Sequence, residues 1–442
     1  MSFNPFLEKP VPIEETFLNW NKLYPIPYCK ETVDPYTKCR IILMNGTEFE
    51  AQWFSRNFSR HCCDNDLRRE LALVRRVEQQ QQKRISCLKP KDETILEHTI
   101  SYEQLAVDLT SVLAKQETDC NVINALNFAL LEDFDHLYRY SNLLHLEYGV
   151  YPEKLVGGYT EITPGRPTIS EHRFPKDSIF CSIRNGTASL QTKLNVNIIT
   201  AAEQQTMNYY MNVANLYQTS DIGRRMYQEI GMIEEEHVSQ YESLIDPNAT
   251  WLESLLLHEY TECYLYYSCM MTECDASVRR IWEDCLTQEI SHLHKAKELL
   301  WKYEGKEYQQ VVGEGTFPEI LRLRPNIQYV RKVLETTAGN TQKKECVVPL
   351  GALGKDDPFY RYQCQVNTPV DSVPTHEIID RHIRCCGCDY RYETGPNPIP
   401  SLRNRTCDNT VLGRVAEQTP ASASVCGTTE NACRCNLTCI RD

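Results

Sequence analysis

Residues 231–247, GMIEEEHVSQYESLIDP, place three glutamates and one histidine in an otherwise apolar helical run. Glu234 lies three residues before His237, so the two side chains fall on one face of a helix, about one turn apart. Glu235 and Glu236 point about 100° and 200° further around the helix axis. We therefore expect Glu234 and His237 to face inward. The other two glutamates should face solvent or surround the inward pair.

Composition limits the classes of protein that this chain can belong to. Its 442 residues exceed one ordinary core, which predicts two or three domains. The formal net charge of −13 argues against nucleic acid or an anionic membrane as the main partner. The sequence contains no run of about 18 apolar residues, and its N-terminus does not resemble a signal peptide. We expect a cytoplasmic protein without a membrane segment.

Helical periodicity divides the chain into five parts. Residues 1–45 read as an extended arm, and residues 46–149 are nearly all helix, with breaks at 61–66, 89–93 and 117–120. Residues 150–197 lose the pattern and carry Gly and Pro at turn spacing, which predicts an irregular crossover. Helix returns over 198–305. Residues 306–442 predict one further helix, near 326–335, and an irregular Cys-rich tail.

The two helical groups resemble each other at one fixed offset. When the chain is shifted by 156 residues, 12 of 50 positions in 95–144 are identical to those in 251–300. ETDCNV, from Glu117, falls on ECDASV, from Glu273, without a gap. We interpret this as an internal duplication. The predicted fold is all-α, with two tandem four-helix bundles at 46–149 and 198–305.

The second group of helices contains a set of side chains that suits metal ions. Glu234-x-x-His237 recurs as Glu289-x-x-His292, and the other two helices of the group offer Glu203 and Glu259. Counting residues from each turn places all six at one level of an antiparallel bundle. Four buried carboxylates would repel one another without cations, whereas they balance the charge of two divalent ions. Together with imidazole, they suit iron or manganese.

This pattern resembles the ferritin-like di-iron carboxylate proteins, such as rubrerythrins and bacterioferritins. Tyr210, seven residues after Glu203, stands where these families often place a tyrosine near the metals. Glu262, three residues after Glu259, resembles the additional glutamate of rubrerythrins. The resemblance implies two iron ions, or iron and manganese, held within 198–305. It also implies an oxidoreductase acting on dioxygen or peroxide.

The first group carries a degenerate copy of the same set. Gln81 stands where His237 stands in the second copy, and Asp133 replaces the longer Glu289. The predicted reading is a structural copy, with a weakened or hard-cation site as the alternative. The weaker candidate ligands of this group are Glu48, Glu78, Glu103, Asp133 and His136.

The order of connections leaves a second arrangement open. Ferritin-like bundles usually join their second and third helices by a long crossover, whereas the corresponding link here, DPNAT at 246–250, is short. An alternative fold pairs helices across the long 150–197 segment. Glu103, Asp133 and His136 would then share one site with Glu203, Glu234 and His237.

The cysteines suggest a non-catalytic alternative to the oxidoreductase. Ten of the 21 cysteines follow residue 340, and this density suits disulfides or a soft-metal site. The tail lacks the paired Cys-x-x-Cys knuckles of a rubredoxin. The alternative to an enzyme is a non-catalytic scaffold, coat or metal-storage protein. Its copies would form a homo-oligomer linked by disulfides through the tail.

Overall fold

Eight long helices form the framework of the protein in a computed structural model, which describes residues 3–166, 171–367 and 369–403. Among these residues, no helix combines the length and apolar character needed to cross a bilayer. The eight helices are α1 (Pro35–His61), α2 (Asn65–Ser86), α3 (Ile95–Gln116), α4 (Cys120–Tyr148), α5 (Leu190–Leu216), α6 (Asp221–Glu242), α7 (Trp251–Thr272) and α8 (Ala276–Glu304).

The ends of these helices repeat along the chain. α3 and α7 each begin with a capping box, in which a threonine and a glutamate satisfy the first amide groups; Thr94 caps α3 and Thr250 caps α7. α4 and α8 each begin at an aspartate cap and end at a glycine with positive φ. These signals stop each helix at the same relative position, so consecutive helices pack as four hairpins.

The hairpins combine in an order that differs from the predicted tandem bundles. Hairpin α3–α4 packs against hairpin α5–α6, and hairpin α1–α2 packs against hairpin α7–α8. α1 and α5 lie against each other where the two four-helix sets meet. Each set therefore takes one hairpin from 46–149 and one from 198–305. This is the alternative arrangement across the 150–197 segment.

Each four-helix set has a polar contact that joins its two hairpins, and the two contacts match. The buried carboxylate of Glu117, after α3, accepts hydrogen bonds from Thr192 and Asn195 on α5, at 2.7 and 2.8 Å. Glu273, after α7, accepts from Thr37 and Arg40 on α1, at 2.5 and 2.8 Å. The acceptors are 156 residues apart and the donors 155. The packing thus follows the repeat seen in the sequence.

The predicted boundaries need three corrections. α1 begins at Pro35 rather than near 46, because Asp34 caps it and proline at the first helical position already has a helical φ. α5 begins at Leu190 rather than 198, where Ser189 caps it. The segment after 306 is also less irregular than predicted.

Residues 306–403 contain the predicted helix and further elements. They form α9 (Ile327–Thr337), a hairpin of β1 (Asn340–Lys343) and β2 (Cys346–Pro349), α10 (Pro358–Val366) and α11 (Pro374–Cys386). α9 packs on α4, and α11 covers α4 and α6. Residues 404–442, with their cysteines, lie outside the described part of the chain.

Candidate metal centres

Six buried side chains meet between α3, α4, α5 and α6. Ligand atoms of Asp133, Glu203, Glu234 and His237 all lie within 4.8 Å of one another, and so do those of Glu103, His136 and Glu234. Glu234 belongs to both groups, so this glutamate is placed to bridge two adjacent positions. We call the set cluster A: Glu103, Asp133, His136, Glu203, Glu234 and His237.

Both histidines of cluster A turn Nδ1 towards the carboxylates. His136 Nδ1 lies 2.9 Å from Glu234 Oε1, although the two atoms do not have hydrogen-bond geometry. His237 Nδ1 lies 3.1 Å from Glu234, 3.4 Å from Asp133 and 3.7 Å from Glu203. Each imidazole therefore presents one nitrogen to the centre of the cluster and the other to its surroundings.

Charged residues hold the outer nitrogens. His237 Nε2 is 2.6 Å from Glu132, which is paired in turn with Arg173 at 2.6 Å and Arg166 at 3.2 Å. His136 Nε2 faces Glu171 at 3.6 Å without a hydrogen bond, and Arg139 pairs with that glutamate. A carboxylate behind a histidine fixes its tautomer and strengthens the other nitrogen as a metal ligand.

The sequence analysis did not identify these supporting residues. Glu171 and Arg173 lie in the 150–197 segment, which has no periodicity from which their positions can be inferred. Glu132 and Arg139 lie in α4, in the run LEDFDHLYRY. Glu132 is adjacent to the candidate ligand Asp133, and Arg139 follows His136 by three residues; this proximity is the signal that could have revealed them.

Many fully buried polar atoms of cluster A have no hydrogen-bond partner among the described residues. They are Glu103 Oε2, both carboxylate oxygens of Asp133, both ring nitrogens of His136, Glu203 Oε2 and Glu234 Oε1. Buried polar atoms without a hydrogen bond are rare in native proteins because each carries a desolvation cost. Except for His136 Nε2, which faces Glu171, they converge on one region, an arrangement that bound cations would satisfy.

The ionisation of cluster A reflects the same crowding. Burial and the charge of Glu234 raise the pKa of Glu103 well above its usual range. Burial raises the pKa of Glu234 to about 8, despite the opposing hydrogen bond to His237. Burial and Arg139 lower the pKa of His136 well below its usual range, so its imidazole is neutral. Protons therefore take the place that divalent ions would fill.

A second set of buried side chains meets between α1, α2, α7 and α8. Ligand atoms of Glu78, Glu259 and His292 lie within 4.8 Å of one another, as do those of Glu259, Glu262 and Glu289. Glu48, buried on α1, accepts a hydrogen bond from Tyr266 on α7, and burial and the charge of Glu289 raise its pKa, so we include Glu48 in the same set. We call the set cluster B: Glu48, Glu78, Gln81, Glu259, Glu262, Glu289 and His292.

Cluster B has more carboxylates than cluster A, and fewer neighbouring groups hold its ligands in position. Gln81, where cluster A has His237, donates a 2.5 Å hydrogen bond to Glu289. His292 Nδ1 faces Glu289 at 3.2 Å, but its Nε2 has no hydrogen-bond partner among the described residues. Glu262 adds a carboxylate whose two oxygens are buried without a partner. Its counterpart beside cluster A, 156 residues earlier, is Ala106.

One tyrosine touches each cluster. Tyr210, on α5, donates to Glu103 on α3, and Tyr266, on α7, donates to Glu48 on α1. Each tyrosine stands seven residues after a cluster glutamate, Glu203 or Glu259. The expectation that Tyr210 lies beside the cluster is met. Tyr266 was not identified, although it sits in the Tyr-rich run CYLYYSC.

The predicted single centre is divided between the two clusters. Glu203, Glu234 and His237 lie in cluster A, whereas Glu259, Glu262, Glu289 and His292 lie in cluster B. Residue counting placed them at one height, but equal height does not specify which helices face each other. The weaker candidates complete both sets: Glu103, Asp133 and His136 join cluster A, and Glu48 and Glu78 join cluster B.

The inward and outward glutamates of the 231–247 stretch separate as expected. Glu234 is fully buried in cluster A, and Glu235 is exposed. Glu236 is buried beside the cluster, where its carboxylate accepts from the backbone of Arg173 at 3.1 Å.

Comparison with known proteins shows no relationship that identifies the chain. Its sequence matches no protein-family model, and it has no significant match among curated proteins or solved structures. Functional inference therefore rests on the two clusters.

Proposed function

We propose that this protein is a dimetal carboxylate oxidoreductase acting on dioxygen or peroxide, with cluster A as its redox centre. The observation that carries the proposal is the convergence of four buried carboxylates and two inward-facing imidazoles, with unsatisfied atoms, on one region. Four carboxylates balance the four positive charges of two divalent ions. Oxygen and imidazole donors suit iron or manganese.

The order of these ligands along the chain supports the ferritin-like resemblance. Glu103 and Asp133-x-x-His136 come first, and Glu203 and Glu234-x-x-His237 follow after the long 150–197 segment. This places a long crossover between the second and third helices of the set, where ferritin-like bundles usually have one. The short DPNAT link joins helices of different sets, so it is no longer a departure from that pattern.

The residues of cluster A have distinct tasks in this proposal. Glu234 would hold the metals together with His136 and His237, whose Nδ1 atoms face the cluster. Glu132 orients His237, and Tyr210 orients Glu103. When bound, two iron ions, or iron and manganese, would supply the electrons that reduce dioxygen or peroxide. The surrounding helices exclude bulk water, which strengthens the electrostatic interactions within the site.

Cluster B would hold cations of a harder type. Five carboxylates, one amide and one imidazole make an oxygen-rich set, which favours manganese or another hard ion over a redox pair. A narrow pocket of about 10 Å³ adjoins Glu78, Glu259 and His292 and reaches Glu70 and Lys295. This space is about that of one water molecule. It would admit an ion or a small oxidant, but no larger substrate.

Metal content and activity test the proposal directly. We expect aerobically purified full-length protein to contain iron, or iron and manganese, and to show the absorption of an oxidised iron–carboxylate centre. The double variant Glu234→Ala/His237→Ala should lose about two metal ions per chain and lose consumption of dioxygen or peroxide. Glu235→Ala, on the exposed face of the same helix, is the matched control and should retain both.

Three outcomes would contradict the proposal. Near-zero iron and manganese in wild type, even after anaerobic loading, would show that the protein has no such metal centre. Equal metal content in wild type and the double variant would place the metal elsewhere, provided circular dichroism shows both are folded. Metal binding without oxidant consumption would favour the storage or scaffold alternative.

A further inference from the structure

Three soft-metal donors meet at a place unrelated to clusters A and B. His145 lies in the last turn of α4, and His382 and Cys386 lie one turn apart on one face of α11, at its C-terminal end. One donor atom from each residue lies within 4.8 Å of the others. His145 Nδ1 and His382 Nε2 are 2.9 Å apart.

The tautomer of His382 is set by the chain that follows α11. Its Nδ1–H donates to the backbone oxygen of Cys388 at 2.8 Å, so Nε2 carries the lone pair and faces the shared point. Gly387 makes this contact possible. Its φ of +83° is in the left-handed region, which turns the chain back over the helix end.

The local field also favours a cation. α4 and α11 both end here, capped by Gly149 and Gly387, and helix C-termini carry partial negative charge. Tyr390 flanks both imidazoles, with ring centroids 5.1 Å from that of His145 and 6.2 Å from that of His382. His382 is buried and Cys386 is exposed. The site is therefore anchored on one side and open to solvent on the other.

We infer that His145, His382 and Cys386 bind one zinc ion, with solvent in the fourth position. Two imidazoles, one thiolate and one open position form a recognised tetrahedral zinc set. On binding, the Cys386 thiol loses its proton to solvent and the zinc–sulfur bond forms, without oxidation or reduction. The ion would clamp α11 onto α4.

This site is distinct from cluster A. His145 lies nine residues beyond His136 on α4, which corresponds to about 13.5 Å along the helix axis. Clusters A and B also contain no cysteine. A metal–thiolate signal that is lost on replacing Cys386 therefore reports the new site, and the inference stands whether or not the proposed oxidoreductase activity is found.

Cobalt(II) is the probe for the test, because its bond to thiolate gives a charge-transfer band in the near ultraviolet. We expect metal-free, reduced full-length protein to develop this band as cobalt is titrated in, and excess zinc to abolish it. Cys386→Ser and His382→Gln should lose the band. Cys385→Ser, at an adjacent exposed cysteine, is the matched control and should keep it.

Two results would overturn the inference. Absence of the band in wild type would show that the three donors do not bind the metal together. Persistence of the band in Cys386→Ser would assign it to other thiols of the chain. Thermal unfolding provides a second measurement: zinc should raise the melting temperature of wild type and of Cys385→Ser by more than that of Cys386→Ser. Circular dichroism of each variant confirms that loss of the band is not loss of fold.

Discussion

At the scale of single residues, the two clusters differ in the group that holds an imidazole in position. Although burial opposes ionisation, the charge of Arg173 and the hydrogen bond with His237 lower the pKa of Glu132 to about 2. This ionised carboxylate holds His237 with Nδ1 towards the cluster. Cluster B has Gln288 at the equivalent position, and its amide donates to the backbone of Thr16 instead.

Replacing Glu132 should therefore weaken metal binding without removing a ligand. We expect Glu132→Gln to lower metal affinity about 10- to 100-fold, the usual effect of removing the group that orients a metal-binding histidine. A competition titration with a chelator of known affinity measures this change. Glu236→Gln is the control, because Glu236 also pairs with Arg173 but does not contact a histidine. Equal losses in both variants would mean that Glu132 acts only by neutralising Arg173.

At the scale of helices, the two copies have similar helix ends because their sequence signals are similar. The residues that contact these ends differ between the copies. Glu117 and Glu273 occupy matching positions after α3 and α7, and each receives hydrogen bonds from the neighbouring copy. The partners of Glu117 are neutral, Thr192 and Asn195, whereas Glu273 binds the buried guanidinium of Arg40. The two junctions differ in charge although their geometry matches.

This difference predicts unequal costs for the same substitution. Glu273→Gln should destabilise the protein by about 3–5 kcal/mol, because Arg40 is left as an uncompensated buried charge. Glu117→Gln should cost about 1 kcal/mol, since the amide oxygen still accepts from neutral donors. Chemical denaturation of the metal-loaded proteins compares the two values. A larger loss in Glu117→Gln would contradict the assignment of the ion pair as the main contact of its junction.

At the scale of the whole molecule, two groups of buried carboxylates lie inside one continuous core. Burial contributes most to raising the pKa of Glu234 to about 8 and the pKa of Glu78 to about 7. The pKa of a glutamate in the unfolded chain is about 4.3. Each folded carboxyl thus binds its proton more tightly than the unfolded one, and this contribution to stability is lost as pH rises through the folded pKa.

Metal-free protein should therefore become less stable between about pH 5 and pH 8, within the interval between the unfolded and folded pKa values. Bound cations replace the protons, so metal-loaded protein should lose less stability over that interval. Melting temperatures recorded with and without a chelator, in steps across it, should diverge as pH rises. A difference that is constant or shrinks towards pH 8 would show that the buried carboxylates do not bind metal in competition with protons.

The sequence predicted the local features of this molecule well. The helix breaks at 61–66, 89–93 and 117–120 match the observed ends, because the capping residues Asp64, Thr94 and Asp119 act within a few residues of each helix start. The candidate ligands were selected by Glu-x-x-His spacing, by counting residues from the turns and by the repeat; that they bind metal stays a prediction. The beginning of α1 was missed although Asp34 and Pro35 signal it. The helices after 350 were missed because short helices depend on packing more than on pattern.

Helical periodicity in the sequence predicted a mostly helical chain, and the repeat predicted that matching donors lie at matching heights. Only the tertiary structure decided which of these donors share a centre. An offset of 156 residues makes the two copies equivalent in height, so a hairpin fits its own copy or the other one equally well. Packing of α1 on α5 and the path of the 150–197 segment decide between them. They bring Glu103, Asp133 and His136 to Glu234 and His237, and they give the three glutamates of the 231–247 stretch different surroundings.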